Sequence, residues 1–120
     1  VKKKILVIDD EKDLVEMITF RLEGLGYEVK SAFDGDAGLA MARSFLPDLI
    51  ILDVMMPKLD GYRVCREIKS GAKTKHIPVI MLTARVQHSD METGLSSGAD
   101  AYMIKPFDSA TLVEKIAEFL

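Results

Sequence analysis

A chain of 120 residues that is 48% hydrophobic and 29% charged has apolar surface for a single core and too little length for two. One domain over residues 1–120 is expected, and neither a disordered chain nor a membrane span fits that balance. A formal net charge of −3 supplies no broad basic field, which argues against direct nucleic-acid binding.

Lys2, Lys3 and Lys4 before Ile5-Leu6-Val7-Ile8 superficially resemble a signal peptide. The apolar run stops at Asp9-Asp10, short of the ~7–15 residues an export core needs. It is expected to be a first strand of a cytoplasmic protein. Val1 in place of a methionine, and an end at Leu120 on a helical pattern, fit a domain taken from a longer chain. The lone cysteine, Cys65, cannot close an internal disulfide. It agrees with a reducing compartment and is expected as a small core or boundary residue.

Lys4 to Asp9 reads as a strand covered on both faces. Leu14, Met17, Ile18, Leu22 and Leu25 then recur at helical spacing until Gly24 and Gly26 break the run. Tyr27 to Ala32 mixes Glu28 and Lys30 with Tyr27 and Val29, the pattern of a half-exposed edge strand. Asp34-Gly35 leads into a helix through Ala37, Leu39, Ala40, Met41 and Phe45, stopped near Pro47. Asp48 to Asp53 is the third strand. A helix from about Asp60 then buries Val64, Ile68 and Cys65, and Ser70-Gly71 ends it. Val79 to Thr83 is an apolar fourth strand. Ser89 to Ser97 is expected as a weak helix, because Thr93, Gly94, Ser96 and Ser97 are poor helix formers. Ala101 to Ile104 is a short last strand, and Asp108-Ser109 opens a last helix with Leu112, Ile116, Phe119 and Leu120 at core spacing.

Strand and helix thus alternate five times, which implies right-handed crossovers and a parallel sheet between two helical layers, a three-layer, doubly wound α/β fold. The most apolar strands (first, third and fourth) are expected in the middle, with the second and fifth at the edges. Ligands of such sheets bind beyond the carboxyl ends of the strands. Asp9 and Asp10, Asp53, Thr83 and Lys105 all stand at such ends.

Three carboxylates against one lysine leave this rim net negative, so without a cation at least one acid should hold its proton. Oxygen-only ligands without a nearby His or second Cys point to a hard divalent ion, Mg²⁺ rather than zinc or Ca²⁺. Asp9-Asp10-Glu11, with no Gly-rich cradle, disfavours a nucleotide. An acid beside a metal, a lysine and a hydroxyl is equipped for phosphoryl transfer onto itself: Asp53 attacks phosphorus, Mg²⁺ and Lys105 neutralise the oxygens, and Thr83 donates a hydrogen bond. His76 and His88 lie outside the strand ends and supply no evident general base for hydrolysis, so the aspartyl phosphate should persist.

Ile8-Asp9-Asp10, Leu52-Asp53-Val54-Met55-Met56-Pro57 with Asp60-Gly61, Leu82-Thr83-Ala84, and Gly98-Ala99-Asp100 through Lys105-Pro106-Phe107 resemble the receiver domain of two-component response regulators, in order and over essentially the whole chain. The resemblance implies a flavodoxin-like sheet of order 2-1-3-4-5 and Asp53 as phosphoacceptor. It implies that Asp10, Asp53 and the Met55 carbonyl ligate Mg²⁺, with Mn²⁺ as a substitute and Asp9 assisting. It assigns phosphoryl binding to Thr83, a backbone N–H near Ala84 and Lys105, a rotamer switch to Tyr102 with Thr83, and a cis bond to Lys105-Pro106. The donor would be a phosphohistidine on a sensor histidine kinase or phosphotransfer protein, or a small acyl phosphate. The chain would be a signalling domain that catalyses its own phosphorylation and slow dephosphorylation, not an enzyme of metabolism.

Two rivals stand beside this. An aspartate-nucleophile phosphatase would need an acid-base carboxylate two residues past the nucleophile, where Met55 stands; a receiver-like interaction domain would gain neither metal nor phosphate. The face of the fourth helix, last strand and last helix is expected to report phosphorylation. DNA-binding relatives that dimerise there carry charged pairs which Ala101, Met91, Thr111 and Lys115 do not reproduce, so a phosphorylation-linked dimer, like the output partner, is left open. Arg85 and Met55 are expected to influence the lifetime of the adduct.

Overall fold

The computed structural model describes residues 1–56, 60–84 and 98–120. Five parallel strands, β1 (Lys4–Ile8), β2 (Glu28–Ala32), β3 (Leu49–Asp53), β4 (Val79–Thr83) and β5 (Ala101–Ile104), lie in the order β2-β1-β3-β4-β5. β1, β3 and β4 are central, and β2 and β5 are the edges. The burial follows from this: every residue of β3 and β4 is buried, whereas β2 alternates between exposed and half-buried until Ala32. The helices α1 (Lys12–Gly24), α2 (Gly35–Phe45), α3 (Gly61–Ser70) and the C-terminal helix (Ser109–Phe119) cover the sheet. The helix expected over Ser89 to Ser97, with Arg85, His88 and Met91, lies outside the described residues.

Successive strand residues face opposite sides, so each strand serves two cores. Leu6, Ile8, Ile50, Leu52, Val79 and Met81 pack with Ala42, Phe45, Val64, Cys65 and Ile68 of α2 and α3. Ile5, Val7, Leu49, Ile51, Ile80, Leu82 and Met103 pack with Val15, Ile18, Leu22, Leu112 and Ile116 of α1 and the C-terminal helix.

Two helices bury a stripe that matches the residues named from the sequence only in part: Ile18 and Leu22 of α1 and Phe45 of α2 are buried as expected, and Leu14, Leu39 and Met41 pack at the edges of the cores. In α1 the sheet is met by Val15, Ile18 and Leu22, whereas Met17 and Leu25 are exposed. Leu14, Val15, Met17, Ile18 and Phe20 make two overlapping apolar stripes, and periodicity alone cannot choose between them. In α2, Ala37 and Ala40 are exposed and Gly38 and Ala42 are buried. A Cβ on Gly38 would stand 2.6 Å from the Ile8 side chain, so the missing side chain is what lets α2 lie close to β1. The helix starts follow the sequence at α2, α3 and the C-terminal helix, where Asp34, Asp60 and Asp108 each accept the N–H three residues on. At α1, Glu11 is the capping position and makes no side-chain cap bond.

Candidate functional site

The ends of β1, β3 and β5 place three charged groups in one phase of the pleat. Asp9, Asp53 and Lys105 continue the alternation that sends Val7, Ile51 and Met103 to the core under α1 and the C-terminal helix. Asp9 is fully buried, Asp53 is nearly so, and Asp10, in the opposite phase, is exposed. One oxygen from each of Asp9, Asp10 and Asp53 falls within 4.8 Å of the others.

Lys105 is the counter-charge. Its Nζ donates to Asp9 Oδ2 at 2.9 Å and to Glu11 Oε1 at 3.2 Å, and lies 3.5 Å from Asp53 Oδ1. The other Asp9 oxygen accepts the Glu11 N–H at 2.9 Å, and Asp53 Oδ1 accepts the Met55 N–H at 3.4 Å. One ammonium is thus divided among three acids, with Asp9 nearest. The electrostatic consequence falls on Asp53: burial, reinforced by the charge of Asp9, raises its pKa from 3.8 to about 6 against the opposing pull of Lys105 and the Met55 N–H. Burial draws the Lys105 ammonium down, but the Asp9 hydrogen bond and the charges of Asp53 and Asp9 outweigh it, and its pKa stays above the ordinary value. The charge conflict expected from the sequence is present, and Asp53 carries it.

Gly61 fixes how the start of α3 meets the end of β3. A Cβ there would meet the Asp53 carbonyl oxygen at 2.2 Å and Val54 Cα at 2.7 Å, while the Gly61 N–H donates to the Val54 carbonyl at 2.9 Å. The start of α3 is pressed against the backbone of Asp53, which only a residue without a side chain allows. Main-chain bonds from Val54 to Leu82 (3.0 Å) and from Lys105 to Thr83 (2.7 Å) tie the ends of β3 and β5 to β4.

Thr83 is fully buried, Ala84 is exposed, and the Met55 side chain is turned out to solvent. Thr83 continues the phase of Val79 and Met81, and Tyr102, paired with Met81, packs on the same side, so the two share one face of the sheet. The Lys105–Pro106 peptide is cis. An open cleft of about 310 Å³ beside Lys105 is lined by Glu11, Leu14, Ala84, Lys105, Pro106 and Phe107. Glu11 as a partner of Lys105 was not foreseen; its place directly after the acid pair was the only signal. An all-oxygen group of acids fits a hard divalent ion in donor type.

A doubly wound sheet of this order with acids and a lysine converging at the carboxyl ends of its strands defines a class, and the family model described as the response regulator receiver domain matches residues 5–117. The chain belongs to this family, whose members are signalling domains of two-component systems. Among relatives, it is 48% identical over 119 residues to a probable transcriptional regulator, ycf27, of Cyanophora paradoxa; the match takes in 99% of this chain and 48% of that protein. The chain thus spans about half the length of this curated relative. Among solved structures, the chemotaxis protein CheY4 of Vibrio cholerae superposes with a TM-score of 0.94 at 32% identity, covering 100% of both chains. The receiver domain of a sensor histidine kinase of Pseudomonas aeruginosa PAO1, solved with a magnesium ion coordinated in its active site cleft, gives 0.91 at 32% identity over 99% of this chain and 98% of that one. No helix among the described residues is long and apolar enough to cross a membrane.

Proposed function

We propose that residues 1–120 form one cytoplasmic receiver domain that takes a phosphoryl group onto Asp53 from a phosphohistidine of a sensor histidine kinase or phosphotransfer protein. The observation that carries this reading is the sharing of one ammonium, Lys105 Nζ, between Asp9 at 2.9 Å and Asp53 at 3.5 Å at the rim of the sheet. A cation already stands beside the acid that would become an anion of higher charge.

In the transfer, an Asp53 carboxylate oxygen forms the bond to phosphorus as the bond from phosphorus to the donor imidazole breaks; the ring nitrogen keeps that electron pair and takes up a proton. Lys105 neutralises the phosphoryl oxygens, and Thr83 and the Ala84 N–H donate to them. Asp9, Asp10, Asp53 and the Met55 carbonyl are the groups that would hold Mg²⁺, or Mn²⁺ in its place, and the magnesium-bound receiver of the P. aeruginosa kinase supports this. Bound there, the ion supplies positive charge to the reacting oxygens. Met55, two residues past Asp53, has a thioether with no proton to exchange, so no side chain there activates water and the adduct persists. Thr83 and Tyr102, on one face of the sheet, would carry the change outward to a partner or output domain; the regulator to which the chain is similar supports an output in transcription.

Incubation with acetyl phosphate and Mg²⁺, read by intact mass, tests this. One phosphoryl adduct is expected, stable in acid, labile in base, and absent with EDTA or in Asp53→Asn. Continuous turnover of a phosphate ester would instead identify a hydrolase, and no adduct under any of these conditions would end the proposal.

A further inference from the structure

β2 ends the sheet, and the phase of its free side can be read from two bonds. Glu28 donates its N–H to the Lys3 carbonyl at 2.9 Å, and the Ala32 carbonyl accepts the Asp9 N–H at 3.1 Å. The even-numbered residues therefore spend their main-chain groups on β1, and both groups of Val29 and of Ser31 point away from the sheet. By the same alternation the Tyr27 carbonyl points outward, while its N–H is taken by Leu22 at 3.1 Å. Between these outward positions stand two exposed side chains of opposite sign, Glu28 and Lys30.

We propose that two copies of this chain join antiparallel along β2, about a two-fold axis at Val29. Each Val29 then donates to and accepts from its counterpart, and each Ser31 N–H reaches the Tyr27 carbonyl of the other copy. Glu28 of each copy falls opposite Lys30 of the other, at the pair type where cross-strand side chains approach most closely. Charged residues on an edge ordinarily guard it against pairing. Here the two charges match their own copy in one register only: moving the axis by one residue sets Lys30 against Lys30 or Glu28 against Glu28. A two-fold axis perpendicular to the sheet also brings the two α1 helices to the same side of the joined sheet. There each copy carries a groove lined in part by Thr19, Phe20, Ser31 and Phe33, with Phe20 82% and Phe33 42% exposed. The groove also carries Lys12, Glu16 and Glu23, and the pairing sets it on the same side as its counterpart. The pairing uses none of the residues assigned to the phosphoryl site.

Sedimentation equilibrium of the chain up to about 1 mM tests it, with circular dichroism to show that each variant is folded. The wild type is expected to pass from monomer to dimer with concentration. Glu28→Lys and Lys30→Glu alone each set like charges opposite at both symmetric pairs, and each should weaken the dimer about tenfold. The double variant Glu28→Lys/Lys30→Glu should regain wild-type affinity, and the two single variants should pair with each other when mixed. Val29→Pro, which removes the outward N–H at the axis, should be a folded monomer. A wild type that stays monomeric overturns the proposal; so does a dimer that the single charge variants leave intact, or one that the double swap fails to restore.

Discussion

Asp53→Asn should make the protein more stable at neutral pH, because the wild-type carboxylate is ionised at a cost. The folded state holds the Asp53 proton up to a pKa of about 6, whereas the unfolded chain releases it near 3.8. Between those values the folded state binds more protons than the unfolded one, so stability falls as pH rises, and the loss is complete above the folded pKa. At about 1.4 kcal/mol per pH unit, that interval corresponds to about 3 kcal/mol. Its side chain is 4% exposed, so solvent screening removes little of this. Asn keeps the shape and the oxygen that accepts the Met55 N–H but cannot ionise. Urea unfolding of wild type and variant in EDTA should therefore give a difference that grows in favour of the variant by about 2.4 kcal/mol from pH 4 to pH 7.5, the remainder of the interval lying below pH 4. Under the proposed metal reading, Mg²⁺ at 100 times its dissociation constant adds about 2.7 kcal/mol to the wild type and nearly closes the gap. A difference that is flat across this range, or of opposite sign, would refute the account of the site as a charge conflict resting on Asp53.

Three further outcomes follow from contacts. Lys105→Met leaves the buried Asp9 and Asp53 without their shared cation and should cost about 3 kcal/mol at pH 7; denaturation of the variant with Asp9→Asn added should recover part of it. Gly61→Ala drives a Cβ to 2.2 Å from the Asp53 carbonyl oxygen, a backbone atom that cannot swing aside. Chemical denaturation should show a loss of about 3 kcal/mol, and unchanged stability would refute the close approach of Gly61 to the Asp53 backbone. Gly38→Ala drives a Cβ to 2.6 Å from Cγ2 of the β-branched, fully buried Ile8, a side chain with little freedom to give way, so its cost should be about 1–3 kcal/mol. A double-mutant cycle with Ile8→Val should return a favourable coupling.

The sheet was legible because four of the five strands are short apolar runs closed by a polar residue, and the mixed character of Glu28 to Ala32 distinguished an edge from the middle. The helices α1 and α2 were legible as helices and only in part as faces: Ile18, Leu22 and Phe45 were named and are buried, whereas Val15, Gly38 and Ala42 were not. Which stripe of α1 meets the sheet depends on how far it sits over β2 and β1, and the role of Gly38 depends on Ile8, 30 residues away in sequence. At the rim, the acids and the lysine could be named from strand ends alone. Their unequal sharing could not: Lys105 reaches past β4 and β3 to Asp9 at the end of β1, and stands nearer to Asp9 than to Asp53. Gly61 was visible in a motif, but its reason, contact with the Asp53 backbone, is a distance and not a pattern.

That unequal sharing bears on how a single phosphoryl group could act. Moving an equilibrium from 1:99 to 99:1 needs about 5.5 kcal/mol of differential interaction, and charge-assisted hydrogen bonds supply roughly 1.5–3 kcal/mol each, so two or three new bonds are enough. Under the proposed reading one of them comes from Lys105, which is already committed to Asp9, a residue with no exposed surface. A buried carboxylate that loses its partner is costly. Asp9 can release Lys105 toward a phosphoryl group on Asp53 only when another cation stands near Asp9, and its neighbours Asp10 and Asp53 are the groups within reach to hold one. Phosphoryl group and divalent ion should therefore favour each other's binding, with Lys105 as the charge that passes between two acids.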